Sequence, residues 1–447
     1  MCCRQARCPA PLRQRPFGQP AESRGLSTRG TIPVWAGTSV SVRLDDVSDE
    51  EILRLLPITA AAVAVRDDRA DEHLARLGAY DERDQAQVDR CVQAFLTGLL
   101  RTTWERGWAP ADVVQHGRRT LDAGVEPLLL TAISAEHVGY KASTIDSRWL
   151  EQLTDLGVPQ PFTKPSLTAW AAGARVGRYL TLHHALSLAG FLQTLPVLAR
   201  LFPLPGTTVR REHHVVPANG KMLARIRGLL AKAEATEFPE EAEALSGKAQ
   251  ELMAKFSLDS ALVEADVEIP DDSAGRRLWV ETPYVSAKAQ LVGAVASANR
   301  CRTVVIDELA VVTIVGAEVD LQHTEILSTS LLVQANRAMI AAGKHIGHRG
   351  ESRTRSFRQS FLMAYALRIG ERLEQTAAAT QAAVPEADAG RLLPVLAKRE
   401  EQVDALFAQL FPNTTTRRTR ITNGAGWHAG LTAADQAQLE GRRQVRR

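Results

Sequence analysis

Cysteine, aromatic residues and long apolar runs are all scarce in this chain. Only five cysteines occur among 447 residues. Cys2, Cys3 and Cys8 crowd the N-terminus, and Cys91 and Cys301 stand far apart. No disulfide framework or zinc spacing results, and so sparing a use of thiols fits a reducing compartment. The longest apolar stretches, such as Ala60–Val65 and Val311–Val315, fall far short of the ~18 residues of a membrane-spanning helix. No membrane partner is therefore expected. Aromatic residues make up 5% of the chain and nowhere build a platform on which bases could stack. A phosphate-binding glycine loop, a nucleophile elbow and an HExxH zinc motif are also missing. The sequence names no catalytic residue, no cofactor and no metal ligands. This argues against an enzyme of a familiar class.

Charge is present but unevenly spread. Residues 1–30 carry six Arg against Glu22, net +5, and residues 417–447 carry seven Arg against Asp435 and Glu440, again +5. The whole chain is +3, so residues 31–416 stand at −7. A body that coated nucleic acid would be basic itself, not basic only at its ends. The Arg- and Pro-rich start superficially suits a transit peptide but lacks the apolar core of a secretory signal. A start codon placed too far upstream, or disorder, explains it as well, and the expected location is the cytoplasm.

The predicted fold is mainly α with a small α+β domain. Residues 1–44 read as a disordered N-terminal extension and 45–205 as a helical domain. There Ser48 and the acids Asp49, Glu50 and Glu51 start a helix. A long amphipathic helix spans Asp84–Arg106 and stops at Gly107, and Pro110 opens the next. The apolar stretch Leu180–Phe202 is interrupted or ended at Pro196. Residues 206–219 read as a linker, followed by a helix hairpin at 220–265. In its first helix, Lys221–Ala235, Leu223, Ile226, Leu230 and Ala233 share one stripe. In the second, entered at Pro239, Ala242, Leu245, Ala249, Leu252, Met253 and Phe256 share a face. Ser257–Ala265 reads as a short third helix. Residues 276–411 read as an α+β domain of order strand–helix–strand–strand–helix, then further helices. The small sheet, with its hairpin at Cys301–Asp307 and Ala310–Val315, is expected to be covered on one face. Residues 412–447 read as a mostly mobile basic tail.

The blocks "LLAKAE" at 229–234 and "KAQELMAK" at 248–255 carry a resemblance. In order and spacing, residues 221–265 resemble the bacterial and phage domain-of-unknown-function family 2786. The region 276–435, through Arg355-Ser-Phe-Arg-Gln-Ser-Phe-Leu-Met-Ala-Tyr-Ala-Leu-Arg-Ile-Gly, resembles the α+β domain that often follows it. Residues 45–205 resemble the helical N-terminal part of actinobacterial members. The resemblance implies no catalytic residues.

Two cationic sets are candidate anion or nucleic-acid contacts. Lys221, Arg225 and Lys232 on the first helix, with Lys248 and Lys255 on the second, project away from the apolar stripes. A solvated face, with Glu251 paired to Lys255, is the plain alternative. The second set is the basic loop Lys344-His345-Ile-Gly-His348-Arg349, with Arg353, Arg355 and Arg358 beyond it. Cations at a helix start oppose the dipole unless an anion binds there. Arg368, on a helix apolar in most directions, is expected to be buried with an acidic partner. The reading favoured is a non-enzymatic binding or adaptor protein, with nucleic acid or another protein as partner. Two alternatives stay open: a hydrolase or nuclease built on Asp307, Glu308, Glu318, Asp320 and His323, and a structural protein–protein module.

Overall fold

A computed structural model describes residues 4–6, 48–78, 82–158, 160–207, 219–235, 239–266, 272–343, 345, 351–416 and 421–436. Residues 7–47, 208–218 and 437–447, on which the expected disordered start, most of the linker and the end of the basic tail fall, lie outside the described residues. The chain divides into two compact units, Cys8–Arg211 and Met1–Arg7 with Glu212–Arg447.

The first unit is helical throughout its described residues: α1 (Asp49–Val65), α2 (Arg69–Gly78), α3 (Glu82–Glu105), α4 (Pro110–Thr120), α5 (Glu126–His137), α6 (Ser147–Asp155), α7 (Leu167–Ala174) and α8 (Arg178–Thr194). Ser48 caps α1 by accepting the Glu51 N–H, with three acids in the first turn. Gly107 ends α3 at φ +86°, and a Cβ there would collide with the Leu198 carbonyl. Only glycine meets both demands.

The core of this unit holds a polar cluster among tryptophans. The Glu136 carboxylate accepts from the Trp104 indole (3.1 Å) and the Tyr140 hydroxyl (2.6 Å), with the Arg101 guanidinium at 3.4 Å. Next to it, Trp149 donates its indole N–H to His137 Nε2 (2.9 Å), and His137 Nδ1 lies 2.9 Å from the Ile133 carbonyl. An indole only donates. Nε2 must therefore accept, and the ring hydrogen sits on Nδ1. Burial holds His137 below the ordinary histidine range, against the pull of Glu136.

The second unit is α+β. Its helices are α9 (Asn219–Ala235), α10 (Pro239–Asp266), α11 (Val285–Ala298), α12 (Glu318–Ala341), α13 (Thr354–Ala382), α14 (Glu386–Leu410) and α15 (Gly424–Gln436). Its strands are β1 (Arg4–Ala6), β2 (Ser273–Trp279), β3 (Arg302–Ile306), β4 (Val311–Ala317) and β5 (Thr414–Thr416), in the order β2-β4-β3-β1-β5. The expected hairpin forms as antiparallel β3 and β4, with Ile306 opposite Val311 and Arg302 opposite Val315. β2 pairs antiparallel on the other side of β4, Trp279 opposite Val311. The three-residue β1 runs parallel to β3 and antiparallel to β5.

Several expectations are corrected. Every residue of β4 is buried. Successive side chains alternate faces, so the sheet is covered on both sides: α11 and α12 lie against it, and so does α14. The strand also runs past the expected end at Val315 to Ala317, and glycine suits position 316 because a Cβ there would collide with Cys301 Sγ. α10 continues unbroken to Asp266. The expected separate helix at Ser257–Ala265 is thus the end of α10, where Ser257 sends its hydroxyl across to Asp320 (2.7 Å).

α15 occupies 424–436, within the tail expected to be mobile. Gly426 and Gly430 lie so close to α13 that a Cβ would strike the Phe357 and Phe361 carbonyls, and Ala434, four residues on, is fully buried. Small residues at i, i+4 and i+8 form one face that lets two helix backbones touch. Arg368 does find acids, Asp435 and Glu371, but with 37% of its side chain exposed. The buried guanidinium one turn on is Arg372, whose Nη1 donates to the Ala434 and Asp435 carbonyls at the end of α15.

Candidate functional site

α9 and α10 pack together with their leucine-rich stripes inward. Ile226, Leu230, Ala249, Leu252 and Met253 join Leu291, Leu327, Leu331, Phe357 and Phe361 in one core. At 100° per residue, Lys221, Arg225 and Lys232 fall within about 40° of one another, on the side opposite Ile226 and Leu230. All three are exposed, and none has an ion-pair partner among the described residues. On α10, Lys248 and Lys255 are exposed on one side. Lys248 is neutralised by Glu251, at 2.9 Å to both carboxylate oxygens. The pairing is thus to Lys248, not to Lys255.

The second cationic set is only partly within view, since Lys344, His348 and Arg349 lie outside the described residues. His345 stacks on Phe357, ring centroids 3.4 Å apart. Its carbonyl accepts from the Arg353 N–H (2.9 Å), and its N–H reaches Thr354 Oγ1 (3.1 Å). The loop is therefore tied to the start of α13. Arg353 is paired with Glu351 (2.7 Å), Arg355 is exposed and Arg358 half-buried.

This helix pair, apolar stripes inward and cations outward, is the segment that other proteins share. Residues 221–260 match the family model described as Protein of unknown function (DUF2786). No curated protein and no solved structure matches the chain.

The DUF2786 segment also touches the acid and histidine set. Asp320, on α12, is the acceptor for Ser257 of α10, and the His323 ring meets Phe256 of α10 edge-on at 6.0 Å. His323 is fully buried, and neither ring nitrogen has a hydrogen-bond partner among the described residues. Burial pushes its pKa down to about 4 against the opposing pull of Asp320, so the ring is neutral at pH 7. Cys301 lies beside Thr324, 3.6 Å from its hydroxyl, and burial pushes the thiol up. Glu318 is engaged elsewhere, with Arg276, which also holds Glu325 (2.7 Å). Asp307 and Glu308 sit in the turn of the hairpin.

As chemistry, this arrangement offers little. Ser257 donates to Asp320 and not to His323, and all three side chains are buried away from solvent. Among the described residues, no three His, Cys, Asp or Glu side chains are placed to hold a metal ion. The sequence reading missed Ser257 and Cys301 as neighbours of Asp320 and His323. They lie 63 and 19 positions before Asp320, and no local pattern announces a contact across such a separation.

Proposed function

We propose that the protein is a non-enzymatic binding protein whose DUF2786 helix pair meets the phosphate backbone of a nucleic acid. One observation carries this reading: Lys221, Arg225 and Lys232 line the outward side of α9 without ion-pair partners among the described residues, whereas Lys248 and Arg353 are matched with acids. Unpaired cations on one side of a rigid helix release counterions when they meet phosphates, so such binding weakens as salt rises. Arg355 at the start of α13 would add a further contact. Duplex or single strand is met by charge alone, since the outward side of α9 carries no aromatic residue for stacking. A protein of this kind would work in the reducing cytoplasm, in keeping with Cys91 and Cys301, both free thiols. No described helix is long and apolar enough to cross a membrane.

The hydrolase reading has less support, because Asp320 and His323 are sealed from solvent. The test is a gel shift of the full chain on duplex DNA and on single-stranded RNA across a salt series. Three phosphate contacts on a duplex give a slope of log affinity against log salt of about −3. Changing Lys221, Arg225 and Lys232 together to Gln should remove that share of the slope and leave about −1, the contribution of Arg355. No binding at low salt, salt-independent binding, or an unaltered slope in the triple variant would each sink the reading.

A further inference from the structure

Over its last three turns α1 is apolar on every side. From Leu55 to Val65 the one polar residue is Thr59, which is buried and donates its hydroxyl to the Leu55 carbonyl (2.9 Å). A helix apolar all round belongs inside a protein. The helical unit nevertheless covers one side alone. Ile52, Leu56, Ala60 and Val63 are buried, and α8 and α3 pack against the helix. On the opposite side Ile58 is 55% and Val65 75% exposed, with Ala61 exposed between them. At 100° per residue these three fall within about 60° of one another.

Charge stands at both ends of this apolar strip. Arg54, at its start, is exposed and pairs with Glu50 of its own helix (3.2 Å). Asp68, just past the helix end, is exposed and has no hydrogen-bond or ion-pair partner among the described residues. The two lie seven positions before and seven after Ala61. Acids outnumber bases five to three over residues 49–69, so an anionic lipid surface would repel this face. A protein partner fits it better.

We infer that the outward side of α1 pairs with the same side of a second copy of this chain, the two helices antiparallel about a two-fold axis at Ala61. Such an axis makes one patch its own partner. The strip from 57 to 65 then covers itself end to end, and alanine at the axis lets the two helices approach closely. Each Arg54 comes level with the other copy's Asp68, so opposite charges meet at both ends. A parallel pair would set arginine against arginine and acid against acid. Burial of exposed apolar surface supplies the attraction. The strip is about 14 Å long. That is short for an interface, so the dimer is weak, with a dissociation constant of about 10–100 µM. This surface belongs to the helical unit and is independent of the nucleic-acid reading.

The experiment is sedimentation equilibrium of the full chain across that concentration range, where a monomer–dimer equilibrium is expected. Ala61→Glu sets two like charges on the axis and should weaken the dimer more than about tenfold. Because position 61 is an exposed helix site, Tm at low concentration should stay unchanged. Arg54→Glu and Asp68→Arg should each weaken the dimer about threefold, and the two together should restore it, since each pair is then reversed. A monomer at every concentration, a dimer indifferent to Ala61→Glu, or a double variant no tighter than the single ones would overturn the inference. Pelleting of the monomer with phosphatidylcholine–phosphatidylserine vesicles, lost in Ala61→Glu, would assign the face to lipid and overturn it as well.

Discussion

Each unit of the molecule buries a histidine completely, and the two are treated in opposite ways. In the helical unit, His137 takes a hydrogen bond from Trp149 on one nitrogen and faces the Ile133 carbonyl with the other, beside a Glu136 that is itself satisfied. In the α+β unit, His323 has no partner on either nitrogen among the described residues and rests edge-on against Phe256. Both rings are held neutral by burial. Equal burial thus hides unequal dependence on the imidazole. A wired polar group is hard to remove because its partners are then stranded, whereas an unwired one behaves as an awkward apolar side chain.

That contrast can be broken most directly by replacement. His137→Leu strands the buried Trp149 N–H and should cost about 1–3 kcal/mol. His323→Leu leaves nothing stranded and should be within about 1 kcal/mol of neutral, or stabilising. Hydrogen exchange followed by mass spectrometry reads the two units separately. Equal losses in both would show the contrast to be false.

Acid sharpens the same comparison. A histidine whose folded pKa lies below its unfolded value takes up its proton more readily unfolded. Stability is then whole above about pH 6.5 and declines as pH falls towards the folded value. For His323, lowered to about 4, the drop between pH 6.5 and 4 should reach roughly 3 kcal/mol. His137 shifts in the same direction and adds a decline in its own unit. Chemical denaturation at a series of pH values, with His323→Leu alongside, checks this. A variant as acid-sensitive as the parent in the α+β unit would remove His323 as the cause.

The smallest expected effect concerns helix starts. α1 is capped by the Ser48 side chain, whereas α13 begins at Arg353 with no side-chain cap. Ser48→Ala should destabilise by about 1 kcal/mol, and Arg353→Asn should stabilise by a similar amount, since the exposed ion pair with Glu351 that it removes is worth less. Tm shifts of opposite sign are the expected readout, and a fall in both would show that the arginine is not merely an uncapped terminus.

What could be read beforehand follows from how local each signal is. The helix pair at 219–266, the β3–β4 hairpin and the cap at Ser48 each rest on residues within a few positions of one another, and each is present. α15 escaped notice because Gly426 and Gly430 look like loop residues until a second helix lies close enough to need them. The outward direction of Lys221, Arg225 and Lys232 was legible from helical spacing. Lys248 choosing Glu251, and Arg353 choosing Glu351, was not, because neighbouring rotamers decide such pairs.

Sequence alone determined the mainly helical character, the apolar faces of α9 and α10 and the family resemblance, since periodicity and short motifs are properties of neighbouring residues. Tertiary structure alone decided that the sheet is covered on both faces, that Arg372 and not Arg368 is the buried guanidinium, that Ser257 meets Asp320, and that one side of α1 is left uncovered. Each of these depends on which distant surfaces come together when apolar area is buried, and on which surface packing leaves out.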